Sequence, residues 1–175
     1  MPTSALLAVV PEAEPYVEHL RQQYDPVASL GMPAHITLTV PFMPPDLIAE
    51  SELEVLEQIF GAAAPFEFTL SEVRCFPETA YLSPSPPEPF VDLVERILAR
   101  FPEYPPYGGI YSEAVPHLTI ADKSARFAAE AKQIVSETLA VRGPIVALCT
   151  KVDLYEDSSG TWSPFARFKL GRGAA

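Results

Sequence analysis

Two of the three histidines in this chain begin the same four-residue motif, which is histidine, aliphatic, threonine, aliphatic. The first motif runs from His35 to Leu38, and the second runs from His117 to Ile120, 82 residues later. Because the ordinary pKa of histidine is about 6.5, one neutral and one protonated imidazole can coexist in a single site at neutral pH. One imidazole can then remove a proton from an attacking water or hydroxyl while the other protonates the departing oxygen.

The two threonines of these motifs supply the second part of such a reaction. The hydroxyls of Thr37 and Thr119 can donate hydrogen bonds to the non-bridging oxygens of a phosphate, where charge develops in the transition state. Together with the histidines, they form a set that phosphodiester hydrolysis or transfer requires and that needs no metal ion. The sequence therefore predicts His35, Thr37, His117 and Thr119 as catalytic residues.

The histidines allow two other interpretations, an ordinary strand position and a zinc site. A single motif of this kind is usually an ordinary strand position, but its duplication in a chain with three histidines argues against chance. A zinc site would need a third ligand, and Asp122 is the one ligand-type side chain close to either motif. We therefore expect no metal and no cofactor. His19, between Glu18 and Leu20, is expected to be a solvated or half-buried helix residue.

The motifs must be positioned by strands. Both segments are rich in aliphatic and β-branched residues, and successive side chains of a strand point to opposite faces. Each histidine is therefore expected to share a face with its own threonine, whereas the aliphatic residues between them point into the core. If the two strands meet, the two pairs face one cleft.

The other elements favour an α+β fold of two similar lobes. The predicted order is β-α-β-α-β, and it recurs from Thr79 onward before a closing strand. We expect one bilobal domain over 1–175, with lobes at about 1–78 and 79–175, a pseudo-two-fold axis and a central cleft. Each lobe would be an antiparallel sheet with helices outside, and strands can exchange between lobes. A capping box at Ser85 is predicted to open a helix, and Ile145 to Tyr155 is predicted to form one strand.

Composition limits the partners. The formal net charge is −11, with 12 Lys and Arg against 23 Asp and Glu, which disfavours binding to long duplex nucleic acid because that needs clustered cations. A small phosphodiester or an RNA end remains a suitable substrate. The longest apolar runs fall short of the roughly 20 residues that span a bilayer. With two cysteines and no basic leader, the sequence predicts a cytoplasmic monomer that does not bind membranes.

The two motifs, with Pro41-Phe42 after the first and Val115-Pro116 before the second, resemble those of the 2H phosphoesterase superfamily. The likeness is strongest to its 2'-5' RNA ligase-like branch, and it extends over nearly the whole chain in length and element order. The resemblance implies a bilobal α+β fold and metal-independent chemistry on 2',3'-cyclic phosphates or 2'-5' linkages. It carries the catalytic roles onto both histidines and both threonines.

Alternatives to hydrolysis remain open from sequence. The cleft could bind a nucleotide or an RNA end without turning it over, or it could join RNA ends by 2'-5' ligation, the reverse reaction. The motifs do not say which histidine is the acid and which is the base. Tyr107, Arg74 and Arg167 are candidate substrate-binding residues, because each could reach the cleft from a neighbouring loop or strand.

Overall fold

A computed structural model describes residues 1–171 of the chain. Its strands form one eight-stranded sheet in the order β6-β3-β4-β5-β2-β1-β7-β8, and every neighbouring pair is antiparallel. The strands are β1 (Ser4–Val9), β2 (His35–Thr39), β3 (Phe66–Cys75), β4 (Thr79–Ser85), β5 (Leu118–Asp122), β6 (Ile145–Cys149), β7 (Lys151–Glu156) and β8 (Ser163–Lys169).

The two central strands of the sheet share the fewest paired residues. Strands β2 and β5, which carry the two motifs, pair through the single residue pair Ile36 and Leu118, whereas the other neighbours pair over four or more residues. Four strands lie on each side of this junction. Strand β3 lies beside β4 and β6, and β7 lies beside β1, so each side takes strands from both halves of the chain. The division into two lobes at residue 78 stays a prediction.

Five helices and three short 3-10 turns connect the strands. The helices are α1 (Glu14–Tyr24), α2 (Pro26–Ser29), α3 (Glu50–Gly61), α4 (Glu88–Arg100) and α5 (Ala125–Arg142), and the turns are Pro11–Ala13, Pro45–Leu47 and Pro106–Gly109. An apolar stripe on each long helix packs into the core, as the predicted spacing requires; Val17 and Leu20 do so from α1. None of the helices in residues 1–171 is long and apolar enough to cross a membrane.

The capping box predicted at Ser85 is wrong. Ser85 is the last residue of β4, where it pairs with Thr69 of β3, and its carbonyl accepts a hydrogen bond from the Thr69 hydroxyl at 3.3 Å. Helix α4 begins at Glu88 with Pro87 as N-cap and no side-chain cap. Pairing with β3 therefore holds Ser85 in a strand, although the local sequence pattern is that of a helix cap.

The single strand predicted from Ile145 to Tyr155 is also wrong. It divides at Thr150 into β6, which pairs with β3, and β7, which pairs with β1 on the other side of the sheet. The Thr150 carbonyl accepts a hydrogen bond from the Leu170 amide at 2.9 Å. This break lets one run of chain contribute to both sides of the sheet, and it places β7 and β8 on the same side as the first motif, beyond β1.

Candidate active site

Both motifs alternate as the sequence predicts. On β2, Ile36 and Leu38 are at most 1% exposed, whereas His35 and Thr37 are partly exposed. The second motif has the same pattern: Leu118 and Ile120 are fully buried, and His117 and Thr119 are partly exposed. The aliphatic residues of both motifs therefore join the helix-covered core, and the polar residues face away from it.

The pairing of β2 with β5 brings the two motifs together. Because Ile36 lies opposite Leu118 in an antiparallel pair, the same register places Thr37 opposite His117, one residue further along. It likewise places His35 opposite Thr119. Directly opposed side chains on neighbouring strands have Cβ atoms about 5 Å apart. Each histidine thus faces the threonine of the other motif across the centre of the sheet.

The two imidazoles are held in the same way. Nδ1 of His35 lies 2.7 Å from the carbonyl oxygen of Pro33, and Nδ1 of His117 lies 2.7 Å from the carbonyl oxygen of Val115. A carbonyl only accepts hydrogen bonds, so Nδ1 carries the proton in both neutral rings. Nε2 of each ring consequently carries the lone pair, and it is the atom available for proton transfer.

The two histidines differ in how strongly their surroundings oppose protonation. Burial lowers the pKa of His35 to about 4; the Pro33 carbonyl works against this shift, and Arg21 and His117 add to it. Burial also lowers the pKa of His117, but the Val115 carbonyl and the Asp122 carboxylate oppose that shift. His35 is therefore the imidazole that stays neutral to low pH, which suits a general base.

A cleft of about 840 Å³ lies over the motifs, and all four motif side chains line it. Its wall beside the second motif is aromatic. The rings of Phe76 and Tyr81 stack with centroids 4.5 Å apart, and each contacts His117 edge-on with centroids 5.5 Å apart. This packing fixes the plane of the His117 ring and gives a ligand an apolar surface next to it.

The wall beside the first motif is aliphatic and ends at a tryptophan. Leu7, Met32, Val40 and Trp162 line it. Trp162 is held by a hydrogen bond from its amide to the Leu30 carbonyl at 2.7 Å. Gly31, the next residue after Leu30, must be glycine, because its φ is +96° and a Cβ would lie 2.9 Å from the Trp162 carbonyl oxygen.

Tyr107 is brought into the site by its loop. Its backbone adopts the left-handed conformation with φ of 54°, and its amide donates a 2.6 Å hydrogen bond to the carbonyl of Val40 just beyond β2. Burial raises the pKa of its hydroxyl, and the neighbouring Thr37 side chain works against that rise; the same hydroxyl lies 3.5 Å from Nε2 of His117. Tyr107 therefore touches both motifs, and its part in substrate binding stays a prediction.

The two arginines proposed from the sequence lie elsewhere. Arg74 forms an exposed ion pair with Glu72 at 3.1 Å, and Arg167 pairs with the buried carboxylate of Asp153 at 2.8 Å. Neither lines the cleft. Arg74 pairs with Tyr81, which pairs with Thr119, so it lies two strands from the second motif, at about 10 Å. The geometry gives no support to a substrate contact by either residue.

The sequence did not reveal the cleft walls. Phe76 and Trp162, which line the cleft, and Tyr81, which packs behind Phe76, look like ordinary strand or strand-end residues. The pairing of β4 with β5 and the hydrogen bond to Leu30 bring them to the motifs. Their aromatic character was the one available signal. Within residues 1–171, no group of three or more His, Cys, Asp or Glu side chains is arranged to hold a metal ion; the expectation that no metal takes part stays a prediction.

Comparison with known proteins gives the family. A Bacillus pumilus protein provisionally named a phosphoesterase is 28% identical over 165 residues, with 86% of each chain covered. Among solved structures, Escherichia coli LigT complexed with 3'-AMP covers 97% of this chain and 99% of its own, with a TM-score of 0.63 at 17% identity. A Thermus thermophilus protein covers 99% and 100%, with a TM-score of 0.63 at 15% identity. Both show the same fold.

The family assignment comes from a match over most of the sequence. The model of the 2'-5' RNA ligase superfamily matches residues 9–161, which include both motifs. The resemblance noted from the two motifs is confirmed at the level of the family. The chain belongs to the 2'-5' RNA ligase superfamily.

Proposed function

We propose that this protein is a phosphodiesterase that opens 2',3'-cyclic phosphates or cleaves 2'-5' linkages of nucleotides and RNA ends without a metal ion. One observation carries the proposal: two imidazole Nε2 atoms and two threonine hydroxyls, contributed by neighbouring strands, face the same cleft. This arrangement suits a phosphate bound between the motifs, with an imidazole available on each side of the phosphorus.

The proposed hydrolytic step balances with these groups alone. Neutral Nε2 of His35 accepts a proton from water as the water oxygen forms a bond to phosphorus. The bond from phosphorus to the leaving ribose oxygen breaks, and protonated Nε2 of His117 donates its proton to that oxygen. The hydroxyls of Thr37 and Thr119 donate hydrogen bonds to the two non-bridging oxygens, where negative charge increases. The product is a phosphomonoester.

The direction of proton transfer follows from the pKa shifts. His35, with its pKa lowered to about 4, is neutral over nearly the whole accessible pH range. The pKa of His117 is also lowered, but the nearby Asp122 carboxylate favours its protonated form. An anionic phosphate bound beside His117 favours that form further. The neutral state of His35 therefore suits the base. His117 is assigned as the acid because the Asp122 carboxylate and a bound phosphate favour its protonated form, against the effect of burial.

The relatives support the ligand class. Escherichia coli LigT has been crystallised with 3'-AMP and with phosphate, and Bacillus relatives are provisionally named phosphoesterases. The family name also supports a second candidate, 2'-5' ligation. Ligation is the same displacement with another nucleophile: a 5' ribose hydroxyl replaces water, gives its proton to His35 and forms the bond to the phosphorus of a 2',3'-cyclic phosphate. The 3' oxygen then leaves with the proton of His117, and a 2'-5' linkage remains.

Turnover of a 2',3'-cyclic nucleotide by EDTA-treated protein tests the proposal. We expect release of a phosphomonoester at an unchanged rate after chelation. We also expect a bell-shaped dependence of kcat/KM on pH, because the free enzyme must hold one neutral and one protonated imidazole. The rate should rise near pH about 4 as His35 loses its proton. It should decline as His117 loses its own proton, at a pH below the ordinary histidine pKa of 6.5.

Chromatography of the products and initial rates over a range of acidic to mildly basic pH supply the readout. Loss of turnover with EDTA that added metal restores would contradict the metal-independent step. Tight binding of the cyclic nucleotide with no product at any pH would instead favour a non-catalytic binding protein.

A further inference from the structure

The charge of the cleft is unusual for a site that takes a phosphate. Four carboxylates line it, from Asp25, Glu78, Glu113 and Asp122, and no lysine or arginine of residues 1–171 does. Asp25 is paired with Arg21 at 3.0 Å behind the wall, so it adds little net charge. The other three carboxylates form no ion pair within the described chain, and all three are exposed.

The nearby cations are directed elsewhere. Arg21 is 2% exposed and donates to Asp25 and to the Met32 carbonyl. Lys123, next to Asp122 in the chain, lies with Nζ 5.5 Å from the ring centroid of Phe127. Arg74 is paired with Glu72. A phosphate anywhere in the cleft other than between the two motifs would therefore meet carboxylates and no countercharge.

Between the motifs, the site can bind one anion. The anion can accept hydrogen bonds from the two motif threonines, and its charge can pair with the protonated imidazole of His117. The Tyr107 hydroxyl, which already contacts Thr37 and approaches His117, is a further donor. On either side, the walls are apolar, with Phe76 beside the second motif and Met32 and Trp162 beside the first.

From this we infer that the site selects phosphodiesters bearing a single negative charge, with apolar or aromatic groups on both sides of the phosphate, and discriminates against substrates that carry a second phosphate. The inference rests on the proposed function and narrows it: among the substrates proposed there, it favours nucleoside cyclic phosphates and dinucleoside monophosphates over RNA ends, whose chains carry further phosphates. A second phosphate elsewhere in the cleft meets the carboxylates that line it and loses affinity through like-charge repulsion.

A matched pair of substrates tests this: adenosine 2',3'-cyclic phosphate, and the same compound phosphorylated at its 5' hydroxyl. We expect kcat/KM at low salt to be lower by about tenfold or more for the compound with two phosphates. The gap should narrow as salt rises from about 50 mM to about 500 mM, because exposed charges are screened over a few ångströms at the higher concentration.

Variants locate the source of the discrimination. Glu78→Gln and Glu113→Gln should each reduce the difference in kcat/KM between the two substrates. The control Glu130→Gln removes an exposed carboxylate from α5, outside the cleft lining, and should leave the gap unchanged. If Glu130→Gln narrows the gap as much as the cleft variants do, the net charge of −11 is responsible and the inference is overturned.

The outcomes separate this inference from the proposed function. Equal kcat/KM for the two substrates, or preference for the doubly charged one, overturns the inference while turnover upholds the proposed function. If neither compound is hydrolysed, the proposed function fails. Calorimetric Kd values for the two compounds then decide the charge selectivity on their own, since repulsion by the cleft acts on binding whether or not reaction follows.

Discussion

Replacing His117 with alanine is expected to lower kcat for a 2',3'-cyclic nucleotide by about 10³-fold, since the leaving oxygen would lose its proton donor. His35→Ala should cause a loss of similar size, because the attacking water would lose its base. The two imidazoles act in one step, so the double variant should be little worse than either single one. Steady-state rates and thermal unfolding of each variant supply the measurement.

The third histidine provides a matched control. His19 is exposed on α1 and does not line the cleft, so His19→Ala should keep the wild-type rate. Near-wild-type rates in either motif variant, with the fold intact, would remove the basis for an acid and base pair. A rate loss in His19→Ala of the same size would show that the assay reports something other than this site.

Replacing Thr37 or Thr119 with valine is expected to lower kcat by about 10²-fold each, because each change removes one donor to the charge that builds on the phosphate oxygens. Valine keeps the shape of threonine, so the β2 and β5 pairing should survive. The effect should fall mainly on kcat, since the hydrogen bonds strengthen as the phosphate gains charge. Initial rates over a range of substrate concentrations separate kcat from KM.

Thr39 is the matched control for this series. It lies on β2 two residues after Thr37, is 1% exposed, and donates its hydroxyl proton to the Tyr104 carbonyl at 3.1 Å. Thr39→Val should cost about 1 kcal/mol of stability through the lost hydrogen bond and leave kcat nearly unchanged. If Thr39→Val lowers kcat as much as the motif variants, the threonine effects are structural and the proposed role of their hydroxyls is wrong.

The sequence was sufficient for features that depend on local periodicity. The alternation of His35 and Thr37 with buried aliphatic residues follows from strand geometry alone. The duplication of the motif indicated that the two strands belong to one site. The register that sets Thr37 opposite His117 required the structure, because local patterns do not specify which strands pair.

Features that depend on contacts distant in the chain were missed. Ser85 carries a helix-cap pattern, but its pairing with Thr69 holds it in a strand. The run from Ile145 to Tyr155 keeps strand-type residues on both sides of the polar pair Thr150 and Lys151, so the break there is set by the two different partners, β3 and β1. Arg74 and Arg167 were attractive as cations near the motifs, yet carboxylates from neighbouring positions, Glu72 and Asp153, bind them. Strand partners distant in the chain decided the first two outcomes, whereas ion pairs decided the position of both arginines.

The central claim is that the two motifs hold one phosphate between them. A crystal structure of the protein soaked in phosphate or sulfate tests it most directly. We expect one anion in the cleft, with its oxygens within hydrogen-bond distance of Nε2 of His117 and of the hydroxyls of Thr37 and Thr119. A phosphate can also donate its own hydroxyl proton to Nε2 of His35, whereas a sulfate can only lie beside it. An anion bound to one motif alone, or bound elsewhere while the cleft stays empty of it, would contradict the account.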